Sequence, residues 1–154
     1  MASPFPFSVG AVLTAAQMNS IGESLTYTPT AVNWTIGNAT VTGRFVRVNK
    51  FVYVRVDIVW GTTSTVTGTG MQVSLPTASQ NGNGNAPLGA VWWYDASAGA
   101  QVYGLVAGVD VNNVMFNAMS SDAANVGVRY SAAGSPFTLA VGDGIYMYFV
   151  YEAA

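Results

Sequence analysis

Residues 41–60 read VTGRFVRVNKFVYVRVDIVW, and no other stretch constrains the fold as tightly. Large and polar side chains alternate almost without a break on both sides of a central Asn-Lys. Period-2 alternation is the pattern of strands with one buried face. Asn49-Lys50 is the expected two-residue turn, because Asn tolerates the left-handed backbone that tight hairpins require. That turn predicts a register: Val48 opposite Phe51, Arg47 opposite Val52, Phe45 opposite Val54 and Arg44 opposite Arg55. One face then carries Val41, Phe45, Val52, Val54, Val56, Ile58 and Trp60, which is core. The other carries Arg44, Arg55 and Asp57 among Val46, Val48, Phe51 and Tyr53. Facing arginines repel, and Asp57, one step along, is placed to bridge them. A face with both apolar bulk and charge reads as one that meets another surface.

The remainder of the chain repeats the strand theme. After an extended arm, Thr14 and Gln17 make a capping box, the Thr hydroxyl and Gln amide serving the free backbone donors of a helix start. Ala15, Ala16 and Met18 favour helix and Gly22 ends it, so one short helix is expected over 15–21. It is either a plug on the domain or an attachment segment docking to a neighbour. The sheet region is expected from Tyr27-Thr28-Pro29 onward. Strands are expected over 32–36, 71–75, 88–94, 101–107, 111–118, 126–130, 137–141 and 145–152. Residues 61–70 and 76–87 read as polar loops, and Gly37-Asn38, 95–99 and Gly142-Asp143-Gly144 as turns. The last strand has large residues on both faces, so it is expected to be central or at an interface. Short strands with polar turns predict an antiparallel sandwich or barrel.

Composition narrows function. Only 8% of the 154 residues are charged while 51% are hydrophobic; soluble domains usually carry about 25% charged residues. Association that buries a second face accounts for the shortfall. With five cations in all and a net charge of −2, binding to nucleic acid or an anionic membrane through charge is not expected. No apolar run is long enough to span a membrane, so no membrane insertion is expected. The N-terminus MASPFPFSVG lacks a basic residue, so no secretory signal is expected, and lysis would be the route out of a cell. The N-x-T triplets at Asn33 and Asn38 carry little weight without such a signal.

The chain has no Cys and no His. Ser-His-Asp and Cys-His catalysis are therefore excluded within one chain, and a zinc site is not expected. Asp95 and Asp110 are a conceivable carboxylate pair, but nothing in their spacing singles them out. Asp95, Asp110, Asp122 and Asp143 sit in turns, where capping is the better reading. No enzyme activity, metal or cofactor is expected. Val91-Trp92-Trp93-Tyr94-Asp95 is the most suggestive cluster. Trp92 and Tyr94 share one face and Trp93 the other. One set is core; the other, with Asp95, is the candidate ligand site, set against a core-plus-interface reading.

Several motifs together resemble a family. They are Leu13-Thr14-Ala15-Ala16-Gln17-Met18-Asn19, Tyr27-Thr28-Pro29, Gly37-Asn38-Ala39-Thr40-Val41-Thr42-Gly43-Arg44-Phe45, residues 47–55, Val73-Ser74-Leu75-Pro76, Ser135-Pro136-Phe137, Gly142-Asp143 and Tyr151-Glu152-Ala153-Ala154. The chain resembles small tail-fibre or minor tail proteins of tailed bacteriophages of actinobacterial hosts. That resemblance implies a virion protein, a homotrimer of jelly-roll-like β-sandwiches exposed on the particle, binding a host-surface glycan or protein. The chain lacks a long fibre shaft, so a small accessory tip is favoured. A head-fibre or decoration subunit with a purely structural role is the alternative. On this reading residues 1–26 are the arm and helix and 27–154 an all-β, antiparallel, jelly-roll-like β-sandwich. Phe5, Phe7, Leu13, Met18 and Ile21 would attach to other phage virion proteins, and Arg44, Tyr53, Arg55 and Asp57 would form the oligomer interface.

Overall fold

Strands β4 (Thr40–Val48) and β5 (Phe51–Val59) form the hairpin around Asn49 in the expected register, from Val48 opposite Phe51 to Arg44 opposite Arg55. Asn49 has φ 55°, the left-handed conformation the tight turn demands. Arg47 Nε donates to Asn49 O at 2.8 Å and pins the turn from one side. The face carrying Val52, Val54, Val56, Ile58 and Trp60 is buried, with Val41 and Phe45 packed at its margin. Each such side chain, fully buried, is worth about 1.5–3 kcal/mol.

The computed structural model describes residues 10, 12, 14–19, 21–80, 82, 84–122 and 125–154. A single helix is found among them, α1 (Ala15–Asn19). The other strands are β1 (Leu25–Tyr27), β2 (Ala31–Val32), β3 (Trp34–Thr35), β6 (Thr65–Val66), β7 (Gln72–Ser74), β8 (Pro87–Asp95), β9 (Ala100–Gly108), β10 (Asn113–Asp122), β11 (Asn125–Arg129) and β12 (Gly144–Glu152). The fold is all-β, antiparallel and sandwich-like. One curled sheet runs β1-β4-β5-β12-β8-β9-β10-β7-β2, β11 pairs with the later part of β10, and β3 pairs with β6 apart from it. The last strand, β12, is central as its two large faces implied, lying between β5 and β8.

The curl follows from the shortest connection. The two outermost strands of that order, β1 and β2, are joined only by residues 28–30, a link that spans at most about 14 Å. The ends of the sheet must therefore approach. Tyr27 Oη on β1 donates to Ser74 O on β7 at 3.3 Å, and the connecting Thr30 exchanges hydrogen bonds with Ser74. The Tyr27 ring lies over Gly43, where an added Cβ would come within 2.5 Å of it, and meets Phe45 edge-on at 5.9 Å. Inside the curl, Trp34 stacks on Trp60 at 5.6 Å and meets Phe116 edge-on, while Trp93 packs on Phe116 at 5.5 Å.

Several expectations need correction. The strand expected over 32–36 splits at Asn33, whose φ of 64° turns the chain from the large sheet to the small one. Asn33 Nδ2 donates to the carbonyls of Thr69 and Gly70, and its own carbonyl accepts from Thr67 and Gly68. The polar loop 61–70 is thus held in place and contains β6. Residues 137–141 form no strand. The Asp143 carboxylate accepts from Ala140 N at 2.7 Å and holds this segment as a turn, with Phe137 and Leu139 resting on the core. The helix has its capping box, Thr14 N to Gln17 Oε1 at 2.9 Å and Gln17 N to Thr14 Oγ1 at 3.2 Å, but ends at Asn19 instead of residue 21. It does not plug the core: residues 14–18 are exposed. The sheet begins at Leu25, two residues before Tyr27.

Candidate functional site: the outward face of the curled sheet

Strand pairing lines the outward side chains up in rows across the sheet. One row runs Arg44, Arg55, Tyr148, Ala90, Leu105, Asn117 through β4, β5, β12, β8, β9 and β10. The next runs Thr42, Asp57, Tyr146, Trp92, Tyr103. Neighbours in a row are about 4.8 Å apart, so Arg44 and Asn117 are separated by about 24 Å along the sheet. Alternation that buries Ile145, Met147, Phe149 and Tyr151 turns Tyr148 and Val150 outward, beside Phe51 and Tyr53. Phe51, Tyr53, Tyr148 and Tyr103 are 57%, 56%, 53% and 64% exposed. Large apolar surface spread continuously over one face marks an interaction surface more often than a solvated one.

The four expected interface residues do share this face. Arg55 Nε donates to both Asp57 carboxylate oxygens, at 2.8 and 2.9 Å, and its guanidinium lies 5.3 Å from the Tyr148 ring centroid. The hydrogen bond and charge of Asp57 raise the Arg55 pKa further above its ordinary value. Asp57 therefore serves Arg55 and does not bridge the two arginines. Arg44, directly opposite Arg55, has no ion pair among the described residues. A cleft of about 300 Å3 opens here, lined by Ser24, Arg44, Tyr53, Arg55 and Tyr148. A surface pair adds little stability, but the geometry leaves one guanidinium free for an anion from outside.

The aromatic cluster divides as expected. Trp93 is fully buried, while Trp92 faces outward and packs against Tyr146 at 5.6 Å. Tyr103, directly across from Trp92, extends this row. Tyr94 is half-buried on the same side. Asp95 is occupied otherwise: its Oδ1 accepts from Ser97 Oγ at 2.7 Å and Ala98 N at 2.9 Å. Those bonds hold its carboxyl below the usual aspartate range. Asp110 caps the next hairpin through Asn112 N and Asn113 N, with its pKa lowered chiefly by the Asn113 side-chain amide. Asp143 accepts from Ala96 N and Ala140 N. Turn-capping accounts for all three, and no group of three metal-ligating side chains occurs among the described residues.

Tyr103, Tyr146, Asn117 and Tyr130 were not singled out from sequence. Each sits on a recognisable strand or strand end, but only the strand order brings them onto one face. Phe5, Phe7 and Leu13, expected to attach the chain to other proteins, lie outside the described residues. Met18 within α1 and Ile21 just after it are exposed. No protein-family model, curated protein or solved structure matches this chain.

Proposed function

We propose that this chain is a bacteriophage virion subunit, a homotrimeric tail-fibre or minor-tail tip domain. It assembles through the Arg44–Tyr53–Arg55–Tyr148 end of its outward face, and the assembled tip binds a host-surface glycan or protein during adsorption. The observation that carries this reading is the exposed aromatic face on a chain with only twelve Asp, Glu, Lys and Arg residues. Burying that face against neighbouring copies removes apolar surface from water at roughly 25 cal/mol per Å2. A neighbour's carboxylate would satisfy Arg44, which has no ion pair among the described residues. The virion assignment is supported by the ordered motifs from Leu13 to Ala154 that resemble small phage tail proteins. Polar loops on a rigid sandwich supply recognition surface without disturbing the core.

Light scattering on the purified chain tests the assembly, with a trimer as the expected mass. Tyr53→Glu combined with Tyr148→Glu should give monomers whose circular dichroism matches the parent. A parent chain that is itself monomeric at micromolar concentration overturns the reading.

A further inference from the structure

At the other end of the outward face lies a second pocket, of about 270 Å3, lined by Asn85, Pro87, Leu105, Asn117, Val128 and Tyr130. Asn117 is only 3% exposed, and its carboxamide oxygen is buried with no hydrogen-bond partner. A buried amide without a partner is costly, and natural structures rarely leave one so. The rest of the described lining is mainly apolar, and no charged side chain among the described residues contributes to it. Tyr130 and Val128 are exposed and present a ring and a branched aliphatic group at the same pocket. The volume suits one ring or one short acyl group, near the small end of ligand pockets.

We infer that this pocket takes the acetamido group of a neutral ligand. A carboxamide offers one acceptor and two donors, and a secondary amide is its complement. The ligand N–H donates to Asn117 Oδ1, the atom that lacks a partner, while the ligand carbonyl, which points the opposite way in a trans amide, faces the pocket mouth. The acetyl methyl rests on Leu105 and Val128, and the remainder of the ligand lies on the Tyr130 ring. Aromatic faces suit half-wet contacts of this kind. A charged ligand would find no counter-ion among the described lining residues. Two sources carry this chemistry, an N-acetylated sugar and an acylated peptide. The inference deepens the recognition part of the function proposed above and rests on it for its biological setting.

The test is a nuclear magnetic resonance titration of the whole protein, reading the Asn117 side-chain amide. The probes are N-acetylglucosamine, N-methylacetamide and glucose. Both acetamido probes should shift the Asn117 signals, with Kd on the order of 1 mM, and glucose should not. Tighter binding of N-acetylglucosamine than of N-methylacetamide identifies the sugar source; equal binding identifies the peptide source. Asn117→Ala, read at the methyl signals of Leu105 and Val128, which line the same pocket, should abolish the response of those methyls to both acetamido probes. Tyr130→Ala, at an exposed position, should weaken it several-fold and serves if the Asn117 variant does not fold. Unmoved Asn117 signals, as a tightly held water would also give, overturn the inference, as does an equal response to glucose. If host-cell binding by the intact protein persists while the probes fail, only this inference falls. Loss of both removes the adsorption reading as well.

Discussion

Gly104, buried on β9 between the outward Tyr103 and Leu105, shows how closely β9 and β10 approach. An added Cβ there would lie 1.8 Å from the carbonyl oxygen of Asn117 and 2.9 Å from Val91 Cγ1. The first obstacle is backbone, so no side-chain rotation relieves it. Gly104→Ala should therefore separate β9 from β10 and cost about 1–3 kcal/mol, as overpacking does, read as a lower urea midpoint. Gly84→Ala is the contrast. Nothing stands within 4 Å of its added Cβ, so the unfolded-chain effect alone should leave stability equal or slightly higher. Among titrating groups, Tyr27 and Tyr151 differ from the usual phenol. Burial raises both pKa values above 10.0, for Tyr151 against the lowering effect of its Thr77 hydrogen bonds. Below pH 10 both tyrosines are protonated in folded and unfolded chains, and their contribution is complete. As pH rises past 10 the unfolded chain ionises first, so stability falls. The urea midpoint should drop above that pH, and tyrosinate absorbance should show these phenols ionising only with unfolding. Early ionisation of all eight tyrosines in the folded protein would contradict the burial argument.

The hairpin of β4 and β5 was legible before any coordinates because two alternating strands and one Asn turn over-determine the register. A slip by one residue would bury Arg44, Arg55 and Asp57 and expose Val54, Val56 and Ile58. The break at Asn33 was not legible. A single positive φ leaves the hydrophobic pattern intact while sending the chain to another sheet. Strand β6 escaped notice because two residues, Thr65 and Val66, carry no period. The place of β12 between β5 and β8 was only hinted at by its double-sided bulk, since pairing across so many residues leaves no local mark. The candidate site inherits that limit: Arg44, Tyr53, Arg55 and Asp57 come from one hairpin and were readable together. Asn117 and Tyr130 need the strand order. The N-terminal elements offer a test of their own. Helix α1 is exposed, and β1 does not begin until Leu25. Deleting residues 1–24 removes no strand among the described residues, so circular dichroism and the thermal midpoint should remain close to the parent. Incorporation into particles should be lost. A truncated chain that fails to fold would assign the segment to the domain itself, and one still incorporated would remove its attachment role.

At the scale of the whole molecule the question is whether the outward face is covered. A monomer melts at a temperature independent of its concentration, whereas an oligomer that unfolds to separate chains does not. For a trimer, a tenfold rise in concentration supplies two-thirds of the 1.4 kcal/mol per decade to each protomer, about 0.9 kcal/mol. In a chain of this length that displaces the midpoint upward by about 2–4 °C. The slope should survive added salt, because apolar burial is not screened as exposed charge pairs are. Tyr53→Glu with Tyr148→Glu should flatten it, because two carboxylates would have to be buried at each contact. Arg44→Ala should reduce the slope less, since it removes only an anion partner from the rim of the same surface. A parent midpoint that does not move across two decades of concentration means that Phe51, Tyr53 and Tyr148 face solvent, and the trimer must then be sought on another surface or abandoned.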